Sequence, residues 1–177
     1  PLVGIEPAIK PAVSQYKGGE ILVLATPMTI RQEKFHNLLG LYKEQAHIIP
    51  VPCAGLMEFV EEGHLDGEFL DAYFSKYLLP YITDKTETIV LGCTHYPVIR
   101  EIIADIMGAD VTLISPGAEA AKFARKCLTE QNLLTDSDAV GENTYYVSDS
   151  PEMFMENAGN FLGENVAGKV FHTSLQI

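Results

Sequence analysis

Apolar residues along this chain fall into short continuous runs separated by segments of helical spacing. Leu2–Ile5, Glu20–Ala25, Ala46–Val51, Ile89–Leu91 and Asp110–Ile114 predict five strands. Several are apolar at successive positions, which suits strands buried on both faces. Asn143–Ser148 and Lys169–Leu175 add two more, the last alternating. Between them, helices are expected over about 29–42, 56–62, 68–79, from Pro97 onward, 118–131 and 151–162. Thr29 with Gln32 fits a capping box, Gly63 stops a short helix, and Asp66 can cap the next. Ser150-Pro151 pairs a capping residue with an N1 proline, and Gly163 ends that helix. Strand and helix in alternation predict an α/β protein built on a parallel sheet.

The most informative junction is Thr88-Ile89-Val90-Leu91-Gly92-Cys93-Thr94-His95-Tyr96-Pro97. It reads as a buried strand, a tight turn, then a helix opened by Pro97 and continued by Val98, Ile99, Ile102, Ile103 and Ile106. A thiol, a hydroxyl and an imidazole thus stand at a strand's carboxyl end, where open α/β sheets bind ligands. A helix N-terminus there would favour anions. The bland alternative is a packed thiol, with His95 closing the turn. Thr26 also lies just past a strand and suits a polar ligand contact, whereas capping alone accounts for Thr29. Glu61, Glu62 and His64 form a polar knot at a helix end, a pattern usually left in solvent. Cys53, beside a proline between apolar segments, and Cys127, inside a helix, read as packing.

The 177 residues suit one domain or two small lobes. A net charge of −12 argues against nucleic acid as partner and requires any anionic substrate to be held by local donors. No apolar run is long enough to cross a bilayer, so no membrane partner is expected. Pro1-Leu2-Val3-Gly4 does not read as a signal peptide, and the opening reads as the middle of something. Three widely spaced cysteines make no disulfide framework and predict a reducing, cytoplasmic setting. Cys93-x-His95 has no second ligand pair at metal spacing, so no metal is expected. Gly-rich nucleotide loops are lacking.

Leu91-Gly92-Cys93-Thr94-His95-Tyr96-Pro97 resembles the second catalytic-cysteine motif of the glutamate racemases, within the aspartate/glutamate racemase superfamily. Val3-Gly4-Ile5-Glu6-Pro7-Ala8 resembles that family's inter-lobe segment, and Leu24-Ala25-Thr26-Pro27-Met28-Thr29 its threonine loop. Phe59-Val60-Glu61-Glu62-Gly63 is similar to its acidic motif and Pro151-Glu152-x-Phe154 to its late helix. The family's Asp-Ser-Gly-type and Ala-Cys-Asn-Thr segments, the latter with the first catalytic cysteine, do not occur. The resemblance therefore implies the carboxyl-terminal portion of such a protein. Residues 1–115 would form one nearly complete α/β lobe, and 116–177 would return to a second, partial lobe.

It further implies cofactor-independent interconversion of L- and D-glutamate by two thiols, one per face, supplying D-glutamate for peptidoglycan. Cys93 would be one base/acid, with His95 assisting and Glu61 orienting, though Glu62 leaves that register open by one. Thr94, His95, Thr26 and Thr29 would bind substrate. With one thiol of two, the chain alone is expected to be inactive. Another racemase of the superfamily, acting on aspartate or hydantoins, and a non-catalytic binding module are the alternatives. A part-built lobe would expose strand edges, predicting a homo-oligomer.

Overall fold

The computed structural model describes residues 2–65, 68–162 and 166–174. The expected stops and caps at Asp66 and Gly163, and the end of the last strand at Leu175, lie outside them. In order, the elements are α1 (Ile9–Ser14), β1 (Glu20–Ala25), α2 (Pro27–Ile30), α3 (Glu33–Gly40), β2 (His47–Pro52), α4 (Leu56–Glu61) and α5 (Glu68–Tyr77). There follow β3 (Thr86–Leu91), α6 (Arg100–Met107), β4 (Thr112–Ile114), α7 (Pro116–Glu130), β5 (Tyr145–Val147), α8 (Pro151–Leu162) and β6 (Val170–His172). The chain divides into two compact units, Pro1–Leu134 and Thr135–Ile177. The sequence signals for a break lie earlier, at Ser115-Pro116-Gly117.

The first unit is built on a four-stranded parallel sheet of order β2-β1-β3-β4. β1 and β3 occupy the centre, and their register sets Leu24 against Leu91 and Val23 against Val90. Central strands need apolar side chains on both faces, and every residue of β1 is buried. Ile21, Val23, Val90 and Ile114 pack on one face with Ile9, Ala12 and Phe35. By strand alternation Leu22, Leu24, Ile89 and Leu91, equally sealed, point the other way. β2 carries Pro50 and Pro52, which a ladder tolerates at an edge, and β2 is an edge strand.

At the amino end of the sheet Gly18-Gly19 bends the chain into β1. Gly18 adopts φ 105°, and the Lys17 and Gly19 amides both donate to the Glu87 carboxylate at 3.0 Å. Three local expectations are corrected. Leu2–Ile5 is not a strand: Leu2 is 96% and Ile5 58% exposed. An apolar tetrapeptide becomes a strand only beside a ladder partner, and it has none among the described residues. The helix expected from Thr29 to Tyr42 is two helices, because Thr26 and Pro27 start the first one earlier. Finally, Pro97 opens a single 3-10 turn, Tyr96–Ile99, and α6 proper starts at Arg100.

In the second unit β5 and β6 pair in parallel, with Tyr145 opposite Val170 and Val147 opposite His172. Ser150 caps α8 as its sequence predicts, its hydroxyl accepting the Met153 amide at 3.2 Å.

Candidate active site

In the order β2-β1-β3-β4 the chain steps outward from β1 in one direction and then in the other. The reversal lies between β1 and β3, and the crevice beyond their carboxyl ends is the ligand position of such sheets. Two loops leave the sheet there. One is Thr26-Pro27 after β1, the other Gly92-Cys93-Thr94-His95 after β3.

Gly92 is fixed by crowding. Its amide donates to the Leu24 carbonyl at 2.7 Å, and a Cβ placed on it would lie 2.5 Å from that same oxygen. The loops are thereby clasped together, with Cys93 as the next residue. Thr26 caps α2: its Oγ1 accepts the Thr29 amide at 3.2 Å and lies 3.0 Å from the Thr29 hydroxyl. The cap is thus Thr26 and not Thr29, whose side chain instead lines a cavity. That cavity, of about 560 Å³, is shared by Thr29, Cys93 and Thr94, and lies within the ~300–1,000 Å³ typical of small-molecule sites.

Behind the thiol runs a chain of polar contacts. Cys93 Sγ lies 3.6 Å from His95 Nδ1, and His95 Nε2 lies 3.0 Å from Glu61 Oε1. An ionised carboxylate only accepts, so the imidazole donates Nε2–H to Glu61 and turns Nδ1 to the Cys93 sulfur. The neighbouring Glu62 faces His64 instead, at 3.5 Å. α4 explains the difference: consecutive residues on a helix point about 100° apart, so only one of the two acids faces His95. His95 is partly buried and Glu61 half-exposed, which leaves the outer end of the chain in contact with water.

The other cysteines are placed differently. Cys53 is 3% exposed, and its thiol donates to the Val51 carbonyl at 3.5 Å. Burial pushes it up to about 12, a thiol held protonated at neutral pH. Tyr96, wholly buried, donates its hydroxyl to the Cys53 carbonyl at 3.4 Å and so seats the first residue of the 3-10 turn. Cys127 lies in α7, partly buried. Because α6 begins seven residues after Cys93, the group adjoining the thiol is the His95 imidazole and not a helix end. Among the described residues no cluster of three or more His, Cys, Asp or Glu could hold a metal.

The same cavity is lined by residues to which the sequence attached no chemistry, chiefly Glu6, Gln32 and Lys34. Gln32 entered the sequence pattern only as a capping partner, and in the structure it lines the wall that Cys93 and Thr94 share.

A parallel α/β unit with a thiol, an imidazole and a carboxylate linked at its switch point defines a class of small-molecule site at a strand end. The comparisons make it particular. A glutamate racemase of Clostridium perfringens is 41% identical over 141 residues, covering 80% of this chain and 54% of its own length. One from Clostridium botulinum is 40% identical over 148 residues, covering 84% and 58%. Among solved structures, the glutamate racemase of Francisella tularensis in complex with D-glutamate superposes with a TM-score of 0.77 at 31% identity, covering 94% of this chain and 62% of its own. A glutamate racemase isoform from Bacillus anthracis gives 0.83 at 26% identity, covering 100% and 65%. No family model matches. In sequence and in fold the chain is similar to glutamate racemases, and it spans a little over half the length of the curated relatives it matches.

Proposed function

We propose that this chain carries one half of a two-base amino-acid racemase site and acts on glutamate. The observation that carries the reading is the Cys93–His95–Glu61 chain ending at a cavity that Thr29 and Thr94 also line. Racemisation without a cofactor needs a base on one face of the α-carbon and an acid on the other. Cys93 is the base/acid on one face. His95 Nδ1 takes the thiol proton as the thiolate forms, and the thiolate removes the α-proton. Glu61 orients the ring and stabilises the imidazolium that results, as a carboxylate does behind a catalytic histidine. Thr94 and Thr29 offer hydroxyls to the amino acid's polar groups. Thr26 holds Thr29 in place through their 3.0 Å contact and contributes a second hydroxyl beside it.

Neither Cys53 nor Cys127 is placed as a second base: one is buried and protonated, and the other lies on α7 and does not line the cavity. We therefore expect the 177-residue chain to exchange an α-proton but not to racemise. In a longer protein carrying a second thiol, the reaction would be full interconversion of L- and D-glutamate. The product would serve peptidoglycan synthesis in the cytoplasm, and association with a second copy is consistent with this reading.

The test is proton NMR in D₂O with each enantiomer of glutamate. The α-proton signal of one enantiomer should decay with retained configuration, and Cys93→Ala should stop the decay. Decay at an equal rate for both enantiomers, or its persistence in Cys93→Ala, would overturn the proposal.

A further inference from the structure

We infer that Tyr73 is a positioning residue of this site, its hydroxyl setting the angle at which α4 presents Glu61 to His95. The inference rests on the reading of Cys93, His95 and Glu61 as one linked group. Glu61 is the last residue of α4, a helix of six residues, and helices that short are held by tertiary contacts rather than by their own bonds. Leu56 and Val60 bury one side of it. At its start the capping position is Gly55, which makes no side-chain bond to the first turn. The turn ahead of Gly55 is held instead by two tyrosines. Tyr96, the residue after His95, donates to the Cys53 carbonyl at 3.4 Å. Tyr73, from α5, donates to the next carbonyl, that of Ala54, at 2.9 Å.

Two tethers on consecutive carbonyls do what one cannot. The Tyr96 bond ties the turn to the loop that carries Cys93 and His95, and so fixes a point. The Tyr73 bond, arriving from another element, fixes the direction in which α4 leaves that point. Tyr73 is buried, and its ring meets Phe59 of α4 edge-on at 5.8 Å. The same side chain therefore grips the helix ahead of its start and again within its body. Burial pushes the Tyr73 hydroxyl up, which keeps it a donor. From Gly55 to Glu61 the helix spans roughly 9 Å, so a tilt of about 10° at the turn moves the carboxylate by about 1.5 Å. The 3.0 Å contact with His95 Nε2 does not survive such a shift. Leu56, next to the pivot, barely moves.

The experiment needs no turnover. Iodoacetamide alkylation of Cys93 in the 177-residue chain is followed by peptide mass, at neutral pH and in alkali. At neutral pH the reaction draws on proton transfer to His95, and Glu61→Gln should slow it by about tenfold. Tyr73→Phe keeps the ring and removes only the hydroxyl. It should slow the neutral reaction by about threefold to tenfold, the scale of one hydrogen bond. In the Glu61→Gln background it should change the rate by less than about twofold, since a residue acting through Glu61 has nothing left to act on. At about pH 10 an ordinary thiol ionises unaided, and all the variants should react like wild type. Phe59→Leu loosens the ring contact and leaves the hydroxyl in place. It should slow the neutral reaction in the same direction, and it carries the test if circular dichroism shows Tyr73→Phe unfolded. A neutral rate equal to wild type in Tyr73→Phe, a slowing that persists in alkali, or one of equal size in the Glu61→Gln background would overturn the assignment of Tyr73. Each would leave the Cys93–His95–Glu61 group standing. A Glu61→Gln rate equal to wild type would remove that group, and this inference with it.

Discussion

Replacing Gly92 by alanine tests the clasp that joins the two site loops. The new methyl would stand 2.5 Å from the Leu24 carbonyl oxygen and 3.5 Å from the Ala25 Cβ. Neither neighbour can yield, since one is backbone of a central strand and the other is wholly buried. The loop must move, and the 2.7 Å bond from the Gly92 amide to that carbonyl is lost. Overpacking of this kind costs about 1–3 kcal/mol, and the lost bond about 1 kcal/mol. The total, roughly 2–4 kcal/mol, corresponds to a fall in Tm of about 6–12 °C for a unit of this size. Urea or thermal unfolding followed by circular dichroism measures it. Because Cys93 is the next residue, its iodoacetamide rate in the folded variant should change along with its distance from His95. Stability within about 0.5 kcal/mol of wild type, together with an unaltered Cys93 rate, would refute the reasoning.

Further predictions concern the site and its surroundings. Glu61→Gln should slow α-proton exchange by at least about tenfold, by weakening the hold on the His95 imidazolium, whereas Glu62→Gln should leave it within about twofold. Cys127→Ala should likewise leave exchange intact while Cys93→Ala abolishes it; equal losses would overturn the choice of thiol. Cys53 should resist alkylation at pH 8–9 in the folded chain and react once denatured, as peptide mapping will show. The same thiol makes stability depend on pH. Its folded value of about 12 exceeds the ordinary thiol value of about 9. Below pH ~9 both states keep the proton and nothing is lost. Above it the unfolded chain ionises first, so stability should fall from pH 9 toward 12 by about 1.4 kcal/mol per unit. The buried Tyr73 and Tyr96 hydroxyls, also pushed upward by burial, add to the decline above pH 10. Cys53→Ala should flatten the portion between pH 9 and 10, measured by urea unfolding across that range.

The strands at the centre of the sheet were legible because a strand buried on both faces must be apolar at every position. Residues 21–25 and 89–91 satisfy that rule with no help from neighbours. The thiol–hydroxyl–imidazole triplet was legible for a similar reason, since strand, glycine and polar residues follow one another in sequence. Which strands adjoin is another matter. The reversal of order between β1 and β3 brings Thr26 and Cys93 to one crevice, and nothing local in either segment encodes it.

Leu2–Ile5 shows the limit from the other side. Its apolar run matched a strand, yet a strand is a property of a pair, and no partner lies beside it among the described residues. Glu61 and Glu62 are chemically identical neighbours, and only the angle at which α4 presents them to His95 distinguishes a partner from a surface acid. Sequence by itself determined the composition of the elements and the reactive triplet, which depend on short-range spacing. Tertiary structure alone decided which distant side chains meet, because those contacts are set by strand order and helix packing across dozens of residues.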